Sequence, residues 1–207
     1  MYISIKTAVN IRRNMAESTD PQNTPLHEAI EDGDFRLAKQ LIEANAAYKR
    51  NGTKLLWVNA QNRYGNTPMH LAVHYLLFRH VQDVVKALLD KEADINAQNK
   101  NGATPLHLVV NRFPFEAMSQ IVNFMLERGA DINAQDKYGN TPLHYLMSNT
   151  TVQQQSVRFL LERGANAYIE NYSGSGRTPD DRAFVSPGKR YNANQANAID
   201  QITRWRY

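Results

Sequence analysis

The sequence predicts an all-α repeat solenoid, made of stacked helix-turn-helix units that are joined by polar turns. Three observations predict this fold class. The tetrapeptide Thr-Pro-x-His recurs, apolar residues follow each copy at helical spacing, and a polar cluster ending in glycine precedes the next copy. The four copies begin at Thr24, Thr67, Thr104 and Thr141, and an eroded fifth copy begins at Thr178. From Thr67 onward these threonines lie 37 residues apart, and such a fixed interval indicates stacked repeats.

Each Thr-Pro pair predicts the start of a helix. A threonine hydroxyl can cap a helix N-terminus, and proline suits the first turn because no partner there needs its missing N–H group. In the third repeat the apolar residues then fall into two blocks at helical spacing: Leu106, Val109 and Val110, followed by Ile121, Val122, Met125 and Leu126. We therefore expect two short antiparallel helices in every repeat.

The ends of the second helices carry residues suited to a left-handed backbone. Gly129 and Gly164 fall just past these helices, and Asn45 takes the same place in the first repeat. The second repeat has Glu92 there, which should destabilise the fold by about 1 kcal/mol if it keeps the left-handed conformation.

The stretches between the repeats carry a second common motif. Leu-Glu-Arg-Gly-Ala-Asp-Ile-Asn-Ala-Gln runs from Leu126 to Gln135, and a closely similar copy runs from Leu89 to Gln98. Together with Thr-Pro-Leu-His, this motif resembles the ankyrin-repeat family over residues 23–183. The resemblance implies β-hairpin-like fingers that project from the helices. It also implies a non-enzymatic protein-binding function that uses the finger tips and the concave inner-helix face.

The repeat markers also predict the domain organisation. We expect a single elongated domain with a capping segment at each end. The predicted segments are an N-terminal cap at 1–22, repeats at 23–65, 66–102, 103–139 and 140–176, a degenerate fifth repeat from 177, and a C-terminal capping helix at 184–207.

Some repeats are longer than the family pattern. The extra residues of repeats two to four lie near 74–80, 112–115 and 148–151, which predicts enlarged connections between paired helices along one edge. Repeat one instead has a longer finger near 48–57, where Asn51-Gly52 predicts a tight hairpin turn. Trp57 and the leucines before it would either form an exposed strand or pack on the next repeat.

Composition limits the class of protein. The chain has no cysteine, which excludes a disulfide scaffold and suits a reducing compartment. It has no apolar run long enough to span a membrane and no signal-peptide pattern at 1–20, so we expect a cytoplasmic protein. We also expect a monomer. Its net charge is +4, but no nucleic-acid motif accompanies that charge, which favours a partner protein over nucleic acid.

No motif points to a cofactor, a metal or catalysis. Stacked repeats are about 10 Å apart, so their equivalent histidines cannot share an ion whose ligand bonds are about 2 Å long. The resemblance gives these histidines a structural role. Phosphate-binding loops, metalloprotease motifs and nucleophile elbows are missing from the sequence. Asn59, Asn96 and Asn133 match a position that the family can present to an asparagine hydroxylase, although turn hydrogen bonds are the favoured explanation for an asparagine there.

Tyrosines and basic residues at the predicted finger tips are the first candidates for a binding site. Tyrosine and arginine are favoured in interface hot spots. The candidates on this side are Arg63, Tyr64, Lys100, Asn101, Lys137 and Tyr138, with Trp57 from the long first finger.

Two alternatives remain open. The aromatic residues Tyr75, Phe78, Phe113 and Phe115 lie in the predicted enlarged connections, where they would form a second binding edge or simply extend the helices. In addition, irregular, asparagine-rich and cysteine-free ankyrin proteins resemble effectors that intracellular bacteria deliver into host cells. That resemblance makes the host cytosol the alternative location.

Overall fold

A computed structural model describes residues 23–44, 47–50, 53–148 and 154–172. The chain divides into two compact units, Met1–Asn101 and Gly102–Tyr207, and each is described by itself. The predicted caps at 1–22 and 184–207 and the fifth repeat from 177 lie outside the described residues.

In its described residues, from 23 to 101 with gaps at 45–46 and 51–52, the first unit contains two helix pairs and one hairpin. The first helix of each pair packs on its partner and on the first helix of the other pair, and the two second helices also pack together, which gives two layers. The elements are α1 (Pro25–Glu31), α2 (Phe35–Ala44), β1 (Ala47–Arg50), β2 (Thr53–Leu56), a 3₁₀ turn (Trp57–Asn59), α3 (Pro68–Tyr75) and α4 (Phe78–Leu89).

The second unit repeats the same plan. Its first helices pack together, its second helices pack together, and each pair is joined across the layers. The elements are α5 (Pro105–Arg112), α6 (Phe115–Leu126), α7 (Pro142–Ser148) and α8 (Gln154–Glu162). The predicted all-α repeat architecture is confirmed.

The core of each unit lies between its helices, because each second helix has one apolar face. In α4 the buried side chains recur at helical spacing as Val81, Val84, Val85 and Leu88. In α6 the corresponding positions are Met118, Ile121, Val122 and Met125. These faces hold the helices of each unit together.

The Thr-Pro-x-His motif begins each first helix, as predicted. Thr67 has an extended backbone and Pro68 is the first helical residue. The backbone N–H of Thr67 donates to Nδ1 of His70 over 3.2 Å, and the Thr67 hydroxyl lies 2.9 Å from the same nitrogen. Because His70 is fully buried, the motif stabilises the helix start and is not available to a ligand.

The lengthened first finger contains the predicted hairpin. Strands β1 and β2 pair antiparallel, with Ala47 opposite Leu56 and Arg50 opposite Thr53. The predicted turn itself, Asn51-Gly52, lies outside the described residues.

The predicted enlarged helix connections in repeats two and three are wrong. Only residues 76–77 separate α3 from α4, and only residues 113–114 separate α5 from α6. Part of the extra length lies in the helices instead: α3 and α5 have 8 residues each against 7 in α1, and α4 and α6 have 12 each against 10 in α2. A longer amphipathic helix buries more apolar surface than a longer loop would. Part of the third predicted connection, 149–151, lies outside the described residues.

The left-handed positions after the second helices agree with the sequence. Glu92 has a φ of 63°, and Gly129 and Gly164 have φ values of 87° and 97°. Asn45 lies outside the described residues.

Candidate functional site

The finger tips are tight turns whose shape is set by one buried side chain. The Asn62 side-chain oxygen accepts hydrogen bonds from the backbone N–H groups of Tyr64 (3.0 Å) and Asn66 (3.1 Å). In the second unit Asp136 accepts in the same way from Tyr138 and Asn140, over 2.8 Å each. The backbone of each tip is therefore held by Asn62 or Asp136, and the side chains of Tyr64 and Tyr138 take no part in these bonds.

Glycine at the end of a tip lets the next finger approach. Gly65 has a φ of 76°, and a Cβ atom there would lie 2.5 Å from the backbone nitrogen of Lys100. The preceding carbonyl, of Tyr64, accepts the Lys100 N–H group over 3.0 Å. In the second unit the Tyr138 carbonyl accepts from Tyr172 over 2.7 Å. Within each unit, neighbouring tips are thus joined through their backbones.

Asparagines at the base of the fingers form a second connection. The Asn59 side chain donates to the Glu92 carbonyl (2.9 Å) and accepts from the Asp94 N–H group (2.8 Å). Asn133 makes the equivalent pair of bonds within the second unit, with the Gly164 carbonyl (3.1 Å) and the Asn166 N–H group (2.8 Å). These bonds give both asparagines a structural role. Modification of the finger asparagines stays a prediction.

The outward side of the tips carries pairs of an aromatic ring and a cation. Tyr64 is 56% exposed and Tyr138 is 55% exposed. The Arg63 guanidinium carbon lies 4.7 Å from the Tyr64 ring centroid, and the Lys137 ammonium lies 4.8 Å from that of Tyr138. The two units thus present equivalent cation–aromatic pairs.

The second finger of the first unit places Lys100 and Asn101 on the surface, where both are exposed. The backbone bond from Lys100 to Tyr64 brings Lys100 next to the first tip. The structure therefore groups Arg63, Tyr64 and Lys100 in one unit, and Lys137 with Tyr138 in the other.

Trp57 corrects one prediction. Its side chain is only 6% exposed and belongs to the 3₁₀ turn that follows the hairpin. The ring packs in the core of the first unit and is not presented to a partner, because the turn directs it inward. Of the two alternatives that the sequence left open, Trp57 follows packing, whereas Leu55 and Leu56 belong to strand β2.

The aromatic residues of the opposite edge fall into two groups. Tyr75 is 47% exposed at the end of α3, and Phe78 is half-buried at the start of α4. In the second unit the Phe115 ring meets the Phe159 ring edge-on at 6.0 Å, so it packs against α8. Phe113 is half-buried and lies 5.1 Å from the guanidinium carbon of Arg112. This edge consists of extended helices rather than of binding loops.

Sequence reasoning missed three large exposed side chains. Tyr172 is 69% exposed, Tyr168 is 61% exposed, and Leu77 is 60% exposed in the short connection between α3 and α4. Tyr172 directly follows Asn171, as Lys100 follows Asn99, so the finger pattern could have identified it. Leu77 carried no such signal, because its exposure depends on where α3 ends.

A buried polar cluster lies behind the tip of the second unit. Nε2–H of His107 donates to the Asn140 carbonyl over 3.0 Å, and Nδ1 accepts the Thr104 N–H group over 3.0 Å, so the ring is neutral. Burial lowers the pKa of His107, against the opposing effects of the Asn140 hydrogen bond and the Asp136 charge.

The same cluster includes a tyrosine with a bound hydroxyl. The Tyr145 hydroxyl donates to Oδ2 of Asp136 over 3.0 Å, and its ring meets His107 edge-on at 4.9 Å. Burial first, and then the Asp136 hydrogen bond and charge, raise the pKa of Tyr145 far above its usual value. The hydrogen bonds of His107 and Tyr145 join the finger turn to α5 and α7, so this cluster has a structural role.

Among residues 23–44, 47–50, 53–148 and 154–172, no group of three or more His, Asp or Glu side chains is arranged to hold a metal ion. In the same ranges, no helix has both the length and the apolar character needed to cross a membrane.

Comparison with known families agrees with the geometry. A family model for ankyrin repeats matches residues 5–99 and 79–171, in three copies. The chain belongs to the ankyrin-repeat family. Ankyrin repeats are general protein–protein interaction modules and are typically non-enzymatic. No curated protein matches this chain significantly.

Proposed function

We propose that this ankyrin-repeat chain is a non-enzymatic binding module that holds a partner protein at its finger tips and the adjoining inner-helix face. The observation that carries this proposal is the recurrence of an exposed cation–aromatic pair, Arg63 with Tyr64 and Lys137 with Tyr138. Such side chains combine a large contact area with charge, which suits interface hot spots.

Rigid tips also favour binding. The turn hydrogen bonds of Asn62 and Asp136 already hold the tip backbones in one shape. A partner that docks there loses little conformational entropy in ordering the loop, so more of the contact energy is retained as affinity.

A pull-down tests the tip assignment. The bait proteins are the wild type and a combined Tyr64→Ala, Lys100→Ala, Tyr138→Ala variant, with circular dichroism to verify folding. We expect the variant to lose partner proteins that the wild type retains, because all three side chains are exposed. Undiminished capture by the folded variant would rule out the finger tips.

The opposite edge is a second candidate, because Tyr75 and Leu77 are exposed there. A Tyr75→Ser, Leu77→Ser variant in the same pull-down separates the two surfaces. Loss of the partner with this variant, and not with the tip variant, would move the site to the α3–α4 edge.

A further inference from the structure

One stretch of the first unit is free of acidic residues. Residues 44–82 contain no Asp or Glu, although the chain as a whole has 20 acidic and 24 basic side chains. The basic residues of this stretch are Lys49, Arg50, Lys54, Arg63 and Arg79. Within it, Arg63 lies exposed at the tip of the first finger and Arg79 lies exposed at the start of α4.

The fold adds a further cation to this stretch. The Lys100 backbone nitrogen lies 3.0 Å from the Tyr64 carbonyl oxygen, and a Cβ atom on Gly65 would lie 3.1 Å from Cγ of Lys100. Arg63, Tyr64 and Lys100 therefore form one surface group. It is called here the basic finger pair, after its two basic residues. Asp94 is the acidic residue nearest to Lys100 in the sequence. Its carboxylate accepts a hydrogen bond from the Asn96 N–H group in its own turn (2.9 Å).

Resting on the proposed function, we infer that the basic finger pair binds an acidic segment of the partner protein. Arginine pairs with carboxylates through two N–H groups, and lysine adds a mobile point charge. Tyr64 follows Arg63 in the chain and bonds to the Lys100 N–H group through its carbonyl, and it offers an exposed ring against which the backbone of an extended segment can pack.

A protein segment fits this surface better than a nucleic acid does. Proteins that bind single strands use successive aromatic rings on which successive bases stack. The basic finger pair has a single ring, since the second tip carries Asn101 where the first carries Tyr64. An acidic segment needs only the two cations for its carboxylates and one apolar contact for its backbone.

Fluorescence anisotropy on the full chain tests the charge class directly. The probes are a labelled oligoglutamate peptide, an oligoglutamine peptide of equal length, and a labelled oligothymidine strand. We expect oligoglutamate to bind, salt to weaken that binding, and oligoglutamine to bind far less. An Arg63→Gln, Lys100→Gln variant should bind oligoglutamate about fivefold more weakly, from the two lost ion pairs.

Matched variants separate a site from general charge attraction. Lys39→Gln with Lys86→Gln removes two exposed charges from α2 and α4 of the same unit and should leave the affinity unchanged. Arg63→Lys with Lys100→Arg keeps both charges and should retain most of the binding. These changes are confined to exposed side chains, so all variants should fold.

Three results would overturn the inference. Equal weakening by the α2 and α4 control variant would show that any positive surface suffices. Tighter binding of oligothymidine than of oligoglutamate would indicate a nucleic acid. If oligoglutamate does not bind, an acidic segment is excluded as the ligand of the basic finger pair. The proposed function would not be excluded, because the pull-down with the tip variant tests it separately.

Discussion

Gly65 shows how strongly a single residue controls the fingers. A Gly65→Ala variant should lose several kcal/mol of unfolding free energy, because its Cβ would meet the Lys100 backbone nitrogen at 2.5 Å in addition to the strain of a positive φ. Gly33→Ala is the matched control: its φ is 72° and nothing lies within 4 Å. That variant should lose only about 1 kcal/mol. Urea unfolding measures both, and equal losses would refute the role of the close finger contact.

His107 gives the second unit a pH dependence. Its pKa in the folded protein lies below the usual 6.5, so below that pH the unfolded chain binds more protons. The stabilisation is complete above pH 6.5 and is lost as the pH falls from there toward the folded pKa. In unfolding experiments between about pH 7.5 and about pH 5, His107→Gln should flatten the slope by up to about 1.4 kcal/mol per pH unit. An unchanged slope would contradict this assignment.

At the scale of elements, the start of α3 depends on the Thr67 hydroxyl. It lies 2.9 Å from Nδ1 of His70, and both residues are buried. Thr67→Val keeps the shape but removes this bond, and should destabilise the protein by about 1 kcal/mol. Thr67→Ser retains a hydroxyl and should recover most of the loss, as measured by thermal and urea unfolding. If serine is no better than valine, methyl packing rather than the hydrogen bond explains the threonine.

Some features of the helices could be predicted from the sequence, and others could not. Helix starts and left-handed ends were predictable because Thr67, Pro68 and Gly129 act within one turn of the chain. The lengths of the connections were not, because counting residues between such markers cannot tell a longer helix from a longer loop. Packing favours the longer helix, because the buried apolar face of α4 includes Val81 near the start of the helix. The grouping of Lys100 with Tyr64 equally required the three-dimensional approach of two fingers.

At the scale of the whole molecule, a repeat array should open locally, because each element contacts only its neighbours. Gly139→Ala tests this, since its Cβ would lie 2.9 Å from the Tyr172 backbone nitrogen and would disrupt the 2.7 Å bond to the Tyr138 carbonyl. Hydrogen exchange measured by mass spectrometry should become about tenfold faster around Tyr172 and in α8. Exchange in α1 and α2, which belong to the first unit, should not change.

Gly164→Ala provides the control for this last experiment, because its φ is 97° but nothing lies within 4 Å of the added carbon. It should strain the end of α8 without separating the fingers, so the Tyr172 amide should keep most of its protection. A uniform acceleration across both units in Gly139→Ala would show instead that the chain unfolds as one cooperative body. The finger tips would then owe their rigidity to the whole array rather than to the bonds between neighbouring fingers.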